Sequence, residues 1–536
     1  MPTSRLDARA PRASRLRRSL NVVAYGVLLL LGACSSLRTD YVKRPSVALT
    51  PPAAAPNVRY AESRVASHGD QSGFRLLADN NDALMSRVTL ADHATHSIDL
   101  QYYIFDNDAT GRLMMQRLLA AADRGVRVRL LVDDLDVDDA APLFDALDAH
   151  ANIEVRLFNP FSTRNPSLLS KAGQFLLDFR RLNRRMHNKA FIVDNAVAIV
   201  GGRNIGDAYF SNGDNTHFRD LDVIAIGPVV TEASRAFDAY WNDEAAFPVT
   251  AFATTQATPE ALAQLRVRLD TSARALARSD YAAALTGSLP GGEGVERPGQ
   301  WLWGDAQTVA DQPEKIELER HDPRLRIGPQ VKATIDKAAD EVLLISPYFV
   351  PTDDGVRYLA TLTQRGVKVK VLTNSLAATD EPMVHAGYAR RRRDLLRAGV
   401  ELHELQPLVP QQPSAHGRSS GVSLHAKAIV VDRRYVFVGS MNMDLRSKLL
   451  NTEMGVIVDS PPLAEATAGF FDEAIKPDNA FQVVLRKSAG GRVTGLQWQS
   501  VGNDGKLQVG DHEPGVSALR RFEVDLLRVL PLDGML

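Results

Sequence analysis

Two segments of this chain carry the same four polar residues in the same order. His187, Lys189 and Asp194 are followed by Asn204, and His425, Lys427 and Asp432 by Asn442; the lysine lies 2, the aspartate 7 and the asparagine 17 residues after each histidine. A histidine supplies a nucleophile or a proton carrier, a lysine a positive charge, and an asparagine an amide that hydrogen-bonds oxygen. One such set binds a phosphate. Two sets facing across a pseudo-twofold axis make a reactive site, in which lysines and asparagines clamp the non-bridging oxygens and a histidine stands on each side of phosphorus for in-line attack and departure. The lysines supply the charge, so this chemistry calls for no metal and no cofactor. No compact His/Asp/Glu cluster in the chain has the spacing of a metal site.

The spacing also says which elements position these groups. If the apolar run after each histidine is a strand, His187 and Lys189 share one face, as do His425 and Lys427. The chain can turn at Asp194-Asn195 and at Asp432-Arg433-Arg434, and the returning strand brings Gly201 or Gly439, then Asn204 or Asn442, back beside them. Asp194 and Asp432 are expected to brace these hairpins rather than touch substrate, and the glycines to let backbone approach a ligand.

The rest of each half repeats too. Strand, helix and strand patterns at 97–105, 109–123 and 124–132 recur at 341–349, 354–364 and 365–372, and third strands fall at 154–160 and 401–407. Alternating helices and β-branched strands predict an α/β fold with helices covering a sheet in each half, 74–249 and 330–477. Residues 250–329 read as an excursion over the surface between the halves, with a helical pattern at 259–285 and a turn-rich stretch at 287–294. Residues 478–536 read as hairpin strands, 481–485 and 494–499, and a last helix, 516–530. That helix mixes arginines with apolar residues, which fits docking on the core better than lying on a membrane.

Composition narrows the class. The 536 residues are 45% apolar and 24% charged, which excludes a disordered or multi-span membrane chain. The formal charge is −1, and without the first 33 residues the balance is 57 basic against 63 acidic, so nucleic acid is not an expected partner. Those 33 residues read as an export signal: six arginines, an apolar run at 20–31, then Gly32-Ala33-Cys34. Cys34 is the only cysteine, which rules out an internal disulfide. The Ala- and Pro-rich stretch at 34–73 reads as a flexible tether.

The doubled H-x-K-x-x-x-x-D with G-[GS]-x-N resembles the signature of the phospholipase D superfamily. The segments at 182–189, 201–210 and 385–390 are similar to bacterial cardiolipin synthases of the C type. The resemblance implies two pseudo-symmetric α/β sandwich halves packed face to face around one shared active site. It implies a carboxylate that orients each histidine, assigned as Asp220 for His187 and Glu453 for His425. It also implies a phosphatidyltransferase that makes cardiolipin from phosphatidylglycerol through a phosphohistidine, the donor being phosphatidylglycerol or phosphatidylethanolamine. Leu31-Gly32-Ala33-Cys34 resembles the lipobox of bacterial lipoproteins, which implies lipidation at Cys34 and anchoring on the periplasmic side of the inner or outer membrane. Hydrolysis to phosphatidic acid, nuclease activity and a non-catalytic lipid-binding role are the rivals. The basic runs Arg180-Arg181 with Arg184-Arg185 and Arg390 to Arg393 read as solvated faces or head-group contacts. Tyr102, Tyr103, Tyr348 and Phe349 read as cleft or core.

Overall fold

Each histidine motif closes on a tight hairpin. Asp194 and Asn195 have φ of 52° and 47°, and Asp432 and Arg433 of 50° and 47°, the left-handed pair of a type I′ turn, whose twist matches that of the strands it joins. The Asp194 carboxylate accepts the N–H groups of His96 at 2.7 Å and Ser97 at 3.0 Å. Asp432 accepts those of Asp340 and Glu341, both at 2.9 Å. Each motif aspartate thus ties its turn to the start of the first parallel strand of its half.

The computed structural model describes residues 41–528 except 138, 162–177, 213–216, 253–257, 280–300, 317–321, 408–420 and 503. In the first half, Ser97–Tyr102, Arg127–Asp133 and Ile153–Phe158 run parallel, with helices Ala109–Asp123 and Ala141–Asp148 as crossovers. The motif hairpin, Ala190–Val193 and Val197–Gly201, pairs antiparallel beside them, followed by Asp222–Ile226 and Ser72–Leu77. The second half repeats the plan with Glu341–Ile345, Lys368–Asn374 and Glu401–Leu405, then Ala428–Val431, Tyr435–Gly439 and Met454–Asp459.

The halves meet face to face around one shared core. Ile192 and Val200 of the first hairpin and Val430 and Val438 of the second belong to it, together with Phe237 and Trp241 of helix Pro228–Asn242 and Phe471 of helix Pro461–Ala474. Separate outer cores lie beneath the crossover helices of each half. The expected two-half α/β architecture is the one observed.

Two segments differ from expectation. The part of the tether that is described, 41–73, packs on the first half. Buried Arg129 and Arg156 donate to the carbonyls of Ser46 and Arg44 at 2.9 and 2.6 Å, and Pro56–Val65 forms a helix. Buried guanidinium groups need acceptors, and this segment supplies them. The stretch between the halves also does more than cross the surface. Its strand Leu302–Ala310 pairs with Ser72–Phe74 through its first three residues and with Met454–Asp459 through its last six, which joins the strands of both halves into one 18-stranded sheet. Alternation is weak in this strand because its burial is mixed along its length. Its neighbour in sequence, 287–294, lies outside the described residues, as do Cys34 and the first 33 positions.

At the C-terminal end, Ala480–Lys487, Val493–Val501 and Leu507–Gly510 extend the second half's sheet. Helix Ala518–Leu527 then docks through Val524 against Leu376 and Ala386.

Candidate active site

The segments leading into the motifs pair across the halves. His217–Arg219 runs parallel to Val422–Leu424, and Met186 bridges to Thr452. The His187 N–H donates to the Thr452 carbonyl at 2.9 Å and the His425 N–H to the Arg219 carbonyl at 2.8 Å. Each histidine therefore enters the centre beside the residue that precedes the other half's carboxylate.

This crossing reverses the expected carboxylate assignment. His187 Nδ1 lies 2.8 Å from Glu453 Oε2, and His425 Nδ1 lies 2.6 Å from Asp220 Oδ2. Sequence order suggests a partner from the same half; strand pairing between the halves supplies one from the other. Burial alone would raise both carboxyls, but Asp220, facing His425, Lys427 and Arg203, is pulled down to about 2. Glu453 is likewise held below its ordinary value by His187, Lys189 and the Ser440 hydroxyl. Ionised carboxylates accept, so each imidazole donates from Nδ1–H and keeps its Nε2 lone pair for chemistry.

All four cationic or potentially cationic groups are buried. Burial, then Lys189 and Lys427, bring His187 down to about 4. Burial, Lys427 and Lys189 bring His425 to about 3. Burial and the neighbouring Lys427 hold Lys189 well below the lysine range, and burial brings Lys427 to about 8 despite Asp220 and Glu453. Each lysine donates to its own histidine's carbonyl, Lys189 at 2.6 Å. Two buried lysines, one depressed by the other, and two imidazoles form a centre completed by an anion.

The asparagines are unequal. Asn204 accepts the Ile104 N–H at 3.2 Å and donates to the Tyr209 hydroxyl at 2.8 Å. Asn442 Oδ1 is buried without a protein partner. The glycines face neighbouring backbone rather than a ligand. A Cβ at Gly439 would lie 2.3 Å from the Met454 carbonyl oxygen, and one at Gly201 would lie 2.5 Å from Asp222 Cα and 2.6 Å from the Leu221 carbonyl oxygen. They are small because the adjacent strand comes that close.

Tyr103 meets the His187 ring edge-on at 4.9 Å, and Tyr209 meets His425 at 5.2 Å. Tyr102 is core, its hydroxyl accepting from Arg87 at 3.1 Å; Phe349 is core against Tyr388. The basic runs divide. Arg185 is buried on Asp133 at 2.8 Å, and Arg392 is buried on Glu404 at 2.8 Å, while Arg181 and Arg391 make partly exposed ion pairs with Asp178 and Asp353.

Four residues complete the His187 side, and sequence reasoning assigns none of them a role. Ser440 and Ser447 donate to the two Glu453 oxygens at 2.5 and 2.6 Å. Asp311 accepts the Glu453 N–H at 2.9 Å and is itself paired with Lys315 at 2.6 Å. One signal was in the spacing: Ser447 and Tyr209 each stand five residues after their motif asparagine. Asp311 follows the joining strand and carries no such mark.

The family described as cardiolipin synthase, PLD-like domain, matches residues 88–241 and 331–475. The chain is 41% identical over 486 residues to cardiolipin synthase C of Escherichia coli, covering 88% of this chain and 97% of that one. It is 34% identical over 409 residues to an uncharacterized protein of Helicobacter pylori, 76% of this chain and 80% of that one. Among solved structures, phosphatidylserine synthase of Haemophilus influenzae has a similar fold, with a TM-score of 0.53 at 13% identity over 89% of this chain and 97% of that one.

Proposed function

The chain belongs to the cardiolipin synthase family of phospholipase D-like proteins, and from that premise we propose that it transfers a phosphatidyl group to phosphatidylglycerol to make cardiolipin. The observation that carries the reading is the pair of crossed dyads, His187 with Glu453 and His425 with Asp220, around Lys189 and Lys427.

The phosphodiester of the donor lipid seats its negative charge between the lysines. That charge offsets the burial and the lysine repulsion that hold both imidazoles neutral, so a proton is taken up on His425. His187 Nε2 attacks phosphorus as the bond to the head-group oxygen breaks, and His425 gives its proton to the departing alcohol. A phosphatidyl-histidine remains, with His425 neutral. His425 then removes the proton from a hydroxyl of phosphatidylglycerol, whose oxygen displaces His187 Nε2 from phosphorus. Glu453 holds the His187 tautomer throughout, and Asp220 stabilises the imidazolium on His425. An acceptor held in line has the advantage of orientation over loose water.

We place the protein at a membrane surface on the periplasmic side of the cell envelope, lipid-anchored through Cys34. Support comes from helix Ala518–Leu527, whose Leu519, Phe522 and Leu526 are 68%, 65% and 60% exposed. Its Arg520 donates to the Thr379 carbonyl at 3.1 Å, next to Asp380, which senses the charge of Lys427. An exposed apolar helix face suits an enzyme that meets substrate in a bilayer. Among the described residues no helix is long and apolar enough to cross one.

Purified protein given vesicles of phosphatidylglycerol, with and without phosphatidylethanolamine, should yield cardiolipin with release of glycerol or ethanolamine, read by mass spectrometry. Phosphatidic acid as the main product would make it a hydrolase, and cleavage of single-stranded DNA without lipid turnover would remove the lipid reading.

A further inference from the structure

Beside the reactive centre the second half holds a cavity of about 500 Å³, within the range of about 300–1,000 Å³ typical of small-molecule sites. One end is polar and belongs to the centre: Asn442, whose buried Oδ1 lacks a protein partner, and Ser447, which holds Glu453. The rest of the wall is mostly apolar, with Ile335, Leu344, Phe349 and Leu359 among its lining. A ligand filling it has a polar end at the centre and a long apolar body.

The first half treats the equivalent place differently. Its helix Ala109–Asp123 buries Leu113, Met114, Met115, Leu118 and Leu119 and packs against the 14-residue helix Asn80–His93, where the second half has only the 8-residue helix Gly328–Ile335. The matching helix of the second half, Asp353–Gln364, buries only Leu359 and Leu362, and its side chains Tyr358 and Leu359 line the cavity. The chain's own residues fill one side of the pseudo-symmetric frame and leave the other apolar and vacant of side chains.

We propose that this cavity takes one acyl chain of the phospholipid whose phosphate lies between Lys189 and Lys427. The inference rests on the phosphatidyltransferase reading and adds to it where the lipid tail goes. A chain seated there fixes the phosphate by its apolar end, so selectivity for long-chain diacyl lipids over soluble phosphodiesters is set by the wall of the second half.

Gly328 lines the cavity and is exposed, at its rim, and a Cβ built on it meets no heavy atom within 4 Å, so Gly328→Trp puts a bulky side chain at the mouth without disturbing a packed wall. The expected result is a fall of about tenfold or more in kcat/KM for dioleoyl phosphatidylglycerol, as when several methylenes leave an apolar site. Turnover of bis(p-nitrophenyl) phosphate, which has no acyl chain, should be unchanged. Equal loss on both substrates, or loss on neither, overturns the assignment. Independently, phosphatidylglycerol with a diazirine at the end of one acyl chain should label wild-type peptides containing Phe349 or Leu359; label confined to helix Ala518–Leu527 overturns it. If the diazirine lipid labels the cavity but no lipid is turned over, the cavity stands and the transferase reading falls. If lipid is turned over while Gly328→Trp is indifferent, the reverse holds.

Discussion

The imidazole of His425 and the carboxylate of Asp220 are 205 positions apart in the chain and 2.6 Å apart in space, so the first half sets the tautomer of the second half's histidine. The converse bond, from His187 to Glu453, spans 266 positions. Neither half holds a finished histidine of its own.

The crossing can be read by histidine NMR. Asp220→Asn should lower the imidazolium pKa of His425 further, since a carboxylate that raises it is lost, and should leave His187 nearly unmoved. Activity should fall by about 10²–10⁴-fold, the usual worth of a positioned acid or base. If His187 moves instead, the same-half pairing is right.

The histidines divide the labour. His187→Ala and His425→Ala should each remove turnover of natural lipid, and the double variant should be little worse than either, because residues that act as a unit are not additive. With a phosphodiester whose leaving group is p-nitrophenolate, which needs no proton, His425→Ala should regain a burst of product and His187→Ala should not. The opposite pattern assigns attack to His425.

Alkaline pH should disarm the clamp early. An ordinary lysine keeps its charge to about pH 10.4, whereas Lys427 loses it as pH rises through about 8. The profile of kcat/KM, which reports the free enzyme, should therefore bend down near pH 8. Bound phosphate favours the charged lysine, so the bend in kcat should lie at higher pH. A kcat/KM profile that stays flat to pH 10 contradicts this.

Neighbouring arginines of one run should differ in worth. Arg392→Ala leaves buried Glu404 and half-buried Glu513 without their guanidinium partner, a loss of about 3–5 kcal/mol, seen as a lower thermal midpoint. Arg391→Ala, which removes a pair with 70%-exposed Asp353, should change stability by about 0.5 kcal/mol or less.

What the sequence made legible follows from the range of the interactions. The hairpin turns, the parallel strands and the motif side chains rest on local patterns of period two and on Gly, Asp and Asn at turns, so they could be placed from residues alone. Which carboxylate meets which histidine rests on pairing between Arg219 and His425 and between Thr452 and His187, and no local pattern encodes a partner more than 200 positions away. Ser440 lay inside the motif and went unassigned because its role appears only once Glu453 is beside it. The tether reading failed for a related reason: Pro- and Ala-rich composition does not reveal that Arg129 and Arg156 need the carbonyls of Ser46 and Arg44.

The strand Leu302–Ala310 decides how the molecule can move. It is registered against Ser72–Phe74 at three positions and against Met454–Asp459 at six, so opening the halves like a clam would tear a continuous hydrogen-bonded ribbon. Under the proposed transfer, both lipids must therefore reach the centre, and the product leave it, without the two halves parting.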